Sequence, residues 1–268
     1  MREWRLLPSA PLSGRSSPAA VWTGSEFIVW GGGHYAKGNG AALDPRTGEW
    51  RVLPDAPLGA REPAAAVWTG TEMLVWGDAT RGKRAVDGAA YGPASNSWRT
   101  LAPAPLALNE VTTAWTGAEM VVYGALLDGG NTSSTQHARG LAYDPARDAW
   151  RTLPTFRLSP QASTIVWTGN ELVAWDYDLE AGVYDPATDE WRRVDDPPFN
   201  ESECYPESAV AARVVVAWFC GATVAELDRA RETWRADSAP AGLTGGALAA
   251  GDVVLFVGSD RLFAYKPA

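Results

Sequence analysis

Cysteine is scarce: Cys204 and Cys220 are the only two in 268 residues. A disulfide framework of the kind that holds small secreted domains therefore cannot carry the fold. Histidine is equally scarce, at His34 and His137. A closed structural metal centre takes about four converging ligands, so no metal and no cofactor are expected. Basic charge is also in deficit, with 23 Lys and Arg against 32 Asp and Glu and a formal net charge of −9. That excludes nucleic acid and anionic membrane surfaces as partners, because both need a basic face. No apolar run reaches the roughly 18 residues of a membrane span. No apolar pattern of period 3.6 extends over ten residues, so helix is not expected. Phosphate-cradling loops and nucleophile elbows are missing too; Gly31–Gly33 ends a strand without leading into a helix.

Tryptophan is abundant instead. There are fourteen, most at fixed places in a repeat. VWTGSEFIVW (21–30), VWTGTEMLVW (67–76), AWTGAEMVVY (114–123) and IVWTGNELVAW (165–175) share one pattern. ALDPRTGEW, AYGPASNSW, AYDPARDAW and VYDPATDEW follow them in turn. The Trp that ends each second motif falls at 50, 98, 150 and 191, with Trp4 before and Trp234 after. The intervals are 46, 48, 52, 41 and 43 residues. Strand-like repeats of about 40–50 residues indicate a β-propeller rather than a helical solenoid.

Each unit reads as four strands. In the first, Ala19–Trp22 is followed by the tight Thr23-Gly24-Ser25 turn, where Gly supplies a positive φ. Glu26–Trp30, Gly40–Leu43 and Trp50–Leu53 follow, the last stopped by Pro54 as an outer strand allows. The expected blades are 17–54, 64–102, 111–154, 162–195 and 206–237, with a sixth from 245–268 completed by residues 3–8. The fifth has lost its WTG turn, and the sixth ends without a fourth strand, which EWRLL (3–7) supplies. The expectation is a single all-β domain, 1–268: a six-bladed propeller of four-stranded antiparallel blades, closed by its N-terminal strand.

With Gly31-Gly32 after the second strand, then a Tyr-Asp-Pro turn and a Trp, the chain resembles kelch repeats. The resemblance is closer to the small bacterial single-domain kelch propellers than to ubiquitin-ligase adaptors, since no accessory domain is attached. It implies a fold and does not fix an activity; a monomer is expected.

The WTG and DP turns are short and nearly constant, so their face reads as structural. The inter-blade connectors and the loops joining second to third strands vary in length and composition. Variable loops on a rigid scaffold are where binding is expected. Connectors contribute Arg15, Arg61, Glu62, Asn109, Glu110, Gln161, Tyr205, Glu207 and Thr244. The longer loops add His34, Tyr35, Arg81, Arg84, Asp128, His137, Asp176, Tyr177 and Asp178. Bland alternatives stand beside each. Arg15 and Arg61 share one repeat position and are either ligand-facing or inter-blade hydrogen-bond donors. Glu62, Glu110 and Glu207 form an axial carboxylate cluster or are solvated and paired. Glu26, Glu72, Glu119 and Glu171, just before the second strands, read as turn residues with a structural role. Asp176, Asp178 and Glu180 alternate as in calcium loops but lack the glycine and spacing.

Two functional readings follow. The first is a module binding a protein, peptide or small ligand on the loop face. The second follows from the resemblance, which includes sugar mutarotases: an acid–base enzyme without metal. There, Glu62, Glu110 or Glu207 would be the base and Arg15 or Arg61 the anion clamp. Met1-Arg-Glu-Trp runs straight into the repeat, so no leader is expected and the chain reads as cytoplasmic. Cys204 and Cys220, both in the fifth unit, are expected to meet either as a disulfide or as two unrelated thiols. An oxidised pair would mark an extracytoplasmic protein whose leader has been removed.

Overall fold

The computed structural model describes residues 8–32, 38–61, 65–77, 86–126, 138–158, 164–176, 180–196, 207–211, 214–219, 223–228, 231–238, 243–250, 253–258 and 262–266. At 109–110, 207–211, 214–219, 223, 243–250, 253, 255–258 and 262–263 only the backbone is described. These residues form twenty-three strands and no helix.

The first sheet runs β1 (Ala19–Trp22), β2 (Phe27–Trp30), β3 (Gly40–Asp44) and β4 (Glu49–Val52). The second runs β5 (Ala65–Trp68), β6 (Met73–Trp76), β7 (Gly88–Gly92) and β8 (Ser97–Thr100). The third is β9 (Leu108–Trp115), β10 (Met120–Leu126), β11 (Arg139–Asp144) and β12 (Ala149–Thr152). The fourth is β13 (Thr164–Trp167), β14 (Leu172–Trp175), β15 (Ala181–Asp185) and β16 (Glu190–Arg193). The fifth is β17 (Glu207–Ala211), β18 (Val214–Phe219), β19 (Thr223–Asp228) and β20 (Thr233–Ser238). The sixth holds β21 (Leu243–Ala250), β22 (Val253–Gly258) and β23 (Leu262–Tyr265). Every sheet is a meander of sequential neighbours, four-stranded in the first five and three-stranded in the sixth among the described residues. Residues 3–7, expected to complete the sixth, lie outside the described residues.

Strand limits move by one to several residues from the sequence expectation. The largest shifts are at β9, which begins at Leu108, and at β21, which begins at Leu243 and is bulged twice near Gly245. Ladder hydrogen bonds, not apolar pattern, set these ends.

The chain divides into two compact units. One comprises Met1–Met120 with Ala142–Arg151, the other Val121–Leu141 with Thr152–Ala268. In the first unit β1 lies beside β5 and β5 beside β9; in the second β13 lies beside β17 and β17 beside β21. First strands of successive blades therefore adjoin. Faces between blades are dry: Val21, Ile28, Trp30 and Ala42 of the first sheet cluster with Met73, Val75, Ala89 and Tyr91 of the second. Val173, Trp175 and Val183 of the fourth cluster likewise with Ala225 and Leu227 of the fifth.

One contact recurs. In the first four sheets an aromatic of the second strand packs on the Trp of the next blade's outer strand. Trp30–Trp98 centroids are 5.6 Å apart, Trp76–Trp150 5.4 Å, Tyr123–Trp191 5.8 Å and Trp175–Trp234 5.9 Å. That outer Trp also donates its indole N–H to the backbone carbonyl just past the preceding outer strand. Trp98 reaches Pro54 at 3.0 Å, Trp150 Ala102 at 2.8 Å, Trp191 Pro154 at 3.1 Å and Trp234 Asp195 at 2.8 Å. An aromatic pair contributes about 0.5–1.5 kcal/mol and a net hydrogen bond about 1 kcal/mol. Each junction is thus pinned by one side chain in two ways.

The glycine at or beside each third-strand start of the first four sheets has no room for a Cβ, the obstacle including the second-strand aromatic at Gly40, Gly88 and Gly140 and Phe156 at Gly182. A Cβ on Gly40 would stand 2.9 Å from the Trp30 ring and 2.5 Å from the Val29 carbonyl oxygen. On Gly140 it would stand 2.7 Å from the Tyr123 ring. The recurring turn glycines of the WTG motifs have a different reason, adopting φ of 93 to 102° at Gly24, Gly70, Gly117 and Gly169.

Candidate binding face

The WTG turns consume their own polar groups. Thr23 Oγ1 accepts the Glu26 N–H at 2.9 Å, and Thr69, Thr116 and Thr168 repeat the bond to Glu72, Glu119 and Glu171. The carboxylate of that glutamate then holds the outer-strand Arg of its own blade. The pairs are Glu26–Arg51 at 2.9 Å, Glu72–Arg99 at 2.7 Å, Glu119–Arg151 at 2.7 Å and Glu171–Arg192 at 2.8 Å. The structural reading of these glutamates is therefore observed directly.

The arginine continues into the next blade. Arg51 donates to the Tyr91 hydroxyl at 2.5 Å, and Tyr91 donates to Asn96 Oδ1 at 2.7 Å. Arg99 reaches the Tyr143 hydroxyl at 3.3 Å, which donates to Asp148 Oδ1 at 2.6 Å. The same Asp148 oxygen accepts the Ala102 N–H at 2.8 Å. The Tyr143 hydrogen bond and that N–H hold the Asp148 carboxyl below its ordinary range. Burial pushes the Tyr143 phenol up to about 12. Asn96, Asp148 and Asp189 reach these positions through left-handed backbone, with φ of 47, 49 and 59°. The sequence reading missed this relay, although a Tyr five residues before Asn or Asp recurs in three units.

On the opposite face, both recurring connector arginines are engaged within their own blades. Arg15 donates to the Gly31 and Asn39 carbonyls, each at 2.9 Å, and to Asn39 Oδ1 at 3.2 Å. Arg61 grips Asp87 with two bonds of 2.8 and 3.0 Å and is only 7% exposed. Arg61 lowers the Asp87 carboxyl by hydrogen bonding against the opposing effect of burial. Asn39 and Asp87 occupy the same repeat position, so each arginine closes its strand 2–3 loop against the incoming connector. The inter-blade link at this place is backbone: the Gly32 N–H donates to the Arg61 carbonyl at 2.9 Å. The inter-blade donor role considered for the arginine side chains thus becomes an intra-blade one, because their acceptors flank the loop of the same sheet.

Asp176 is fully buried and stands where the first two blades have Gly31 and Gly77. Its Oδ1 accepts the Glu180 N–H at 3.0 Å, closing the fourth blade's loop. Asn109 and Glu110 lie in β9, Glu207 opens β17 and Thr244 lies in β21, all on first strands and described in backbone only. Glu62, Gln161 and Tyr205, with His34, Tyr35, Arg81, Arg84, Asp128, His137, Tyr177 and Asp178, lie outside the described residues. So do Cys204 and Cys220. Among the described residues no three His, Cys, Asp or Glu side chains gather as a metal site. Among the described residues no helix is long and apolar enough to cross a membrane.

This geometry has a counterpart among solved structures. The solved structure of YjhT superposes with a TM-score of 0.68 at 13% sequence identity, covering 97% of this chain and 99% of that one. The chain has a β-propeller fold. At that identity the likeness extends to fold alone, and 834 chains match in this way, so it does not select an activity. No family model matches the chain, and no curated protein matches it.

Proposed function

We propose that this chain is a six-bladed kelch-type propeller that binds a protein, peptide or small ligand on the face made by its connectors and strand 2–3 loops. The supporting observation is the asymmetry between the two faces. On the turn face the same threonine, glutamate and arginine bonds recur from blade to blade, leaving little free to recognise a partner. On the other face each loop has its own length and chemistry.

Six-blade closure by the N-terminal strand is part of the reading. Its support is the Trp50 indole, which donates to the Pro8 carbonyl at 2.9 Å. Pro8 follows Trp4 as Pro54 follows Trp50 and Pro154 follows Trp150. Pro8 thereby takes the acceptor role of Pro54, Ala102, Pro154 and Asp195.

The test is native mass spectrometry of the purified full chain, followed by a thermal-shift series with peptides and small polar molecules. A bound species or a stabilising compound whose effect disappears on replacing His34, Tyr35 and Arg84 by Ala supports the loop-face reading. Binding that survives those changes and is lost on altering the turn-face residues Ser25 and Thr71 overturns it. Interconversion of sugar anomers that stops in Glu62→Gln, Glu110→Gln or Glu207→Gln would replace it with the acid–base enzyme reading.

A further inference from the structure

The fifth blade departs from the others on its outer strand. β4, β8, β12 and β16 are four residues long, whereas β20 runs six, from Thr233 to Ser238. It is in register with β19 along its whole length, from Asp228↔Thr233 to Thr223↔Ser238. Ser238 stands four residues after the blade's Trp, where Pro54 and Pro154 follow the first and third outer strands. Five of its six residues are exposed. Such a strand presents a row of backbone donors and acceptors to any chain that can lie beside it.

Its charges distinguish it further. Arg235 follows Trp234 as Arg51, Arg99, Arg151 and Arg192 follow their tryptophans. Those four are held by the turn glutamate of their own blades. The fifth blade has no WTG-Glu turn, and Arg235 makes no ion pair among the described residues. Asp237, two residues on and on the same face of the strand, accepts the neighbouring Ser238 N–H at 2.8 Å. One positive and one negative group, both near the Tyr265 phenol, thus flank Ala236 on an open edge.

We propose that β20 is an interface between two copies of this chain, pairing antiparallel with itself about a two-fold axis at Ala236. In that register Arg235 of each copy lies opposite Asp237 of the other, so one strand supplies both halves of two reciprocal ion pairs. Self-complementarity is what an isologous interface requires. Opposite charges directly across an antiparallel pair stabilise it, and like charges oppose it. A parallel arrangement would set arginine beside arginine. The fifth sheet would continue across the axis as an eight-stranded sheet.

Light scattering of the full chain at moderate salt, over a concentration series, reads the association. The proposal expects a rise toward twice the chain mass. It expects Arg235→Asp alone and Asp237→Arg alone to be monomeric, because each sets like charges in opposition twice. Mixing the two variants in equal amounts should restore a dimer containing one chain of each, resolved by native mass spectrometry. Loss of folding cannot imitate that rescue. Backbone amides of β20 in the unsubstituted chain should exchange more slowly at dimerising than at dilute concentration. A chain monomeric throughout, single variants that keep the parent dimer, or a mixture that stays monomeric would each overturn the proposal.

Discussion

The junction between the second and third blades and that between the fourth and fifth perform the same task with different chemistry. At the first, Arg99 leaves Glu72, meets the Tyr143 hydroxyl and is backed by Asp148. At the second, Leu227 stands in the tyrosine's place, and Arg192 passes from Glu171 straight to Glu232 at 2.5 Å. Glu232 keeps the left-handed backbone of its counterparts, with φ of 57°. The aromatic pin survives at both, as Trp76 on Trp150 and Trp175 on Trp234. The polar relay is therefore replaceable and the tryptophan pin is not. An indole couples a large apolar area to one N–H in a single rigid group, and no other side chain does both here.

The largest effect should come from breaking pins. Trp98→Ala removes a ring that touches both Trp30 and Tyr91 and loses the bond to Pro54. Denaturant unfolding should show a cost of about 3–5 kcal/mol. Trp234→Ala, whose ring meets Trp175 alone among the described aromatics, should cost measurably less. Equal costs would erase the contrast between the junctions.

Next comes Tyr143→Phe, which leaves Arg99 and Asp148 without their shared hydroxyl. A cost of about 1–2 kcal/mol is expected at neutral pH. Because Asp148 has a lowered folded pKa, its contribution is fully present above the ordinary carboxylate value of about 3.9. It is lost as pH falls through the lower folded value. The penalty of Tyr143→Phe should therefore shrink under strong acid in a pH series of melting curves. A penalty that grows there would contradict the assignment.

Leu227→Tyr sharpens the comparison in the other direction. It restores a hydroxyl where Tyr184 donates to Asp189 at 2.6 Å, with Glu232 as the acceptor in this blade. A gain of about 0.5–1.5 kcal/mol is expected; a loss would mean that the fifth blade cannot seat the ring. The smallest effect belongs to Arg147→Ala, which breaks an exposed pair with Asp144 at 2.5 Å. It should leave the melting temperature within about a degree of the parent.

Much of the scaffold was legible because its causes are local. The recurring WTG and DP turns mark strand ends directly, and a glutamate fixed beside a turn reads as structural from the sequence. The arginines were less legible, since Arg15 and Arg61 find their acceptors 24 and 26 residues away, across a loop of variable length. The Arg–Tyr–Asx relay joins residues 40 to 45 apart in neighbouring blades. Its signal is faint within one repeat and appears only when several are aligned on their tryptophans. For β20 the sequence marks only Trp234, in a unit bounded at 237, because what extends the strand is the loss of a proline stop rather than any apolar pattern.

The division of labour between faces is tested most directly by a saturation scan that scores folded abundance at every position. The account predicts intolerance at 23–26, 69–72, 116–119 and 168–171, where glycine φ, threonine bonds and glutamate–arginine pairs coincide. Tolerance is expected in the loops joining second to third strands, at His34, Tyr35, Arg81, Arg84, Asp128, His137, Tyr177 and Asp178, whose identities would then be free to serve recognition. Turn positions that accept substitution as readily as those loops would contradict it.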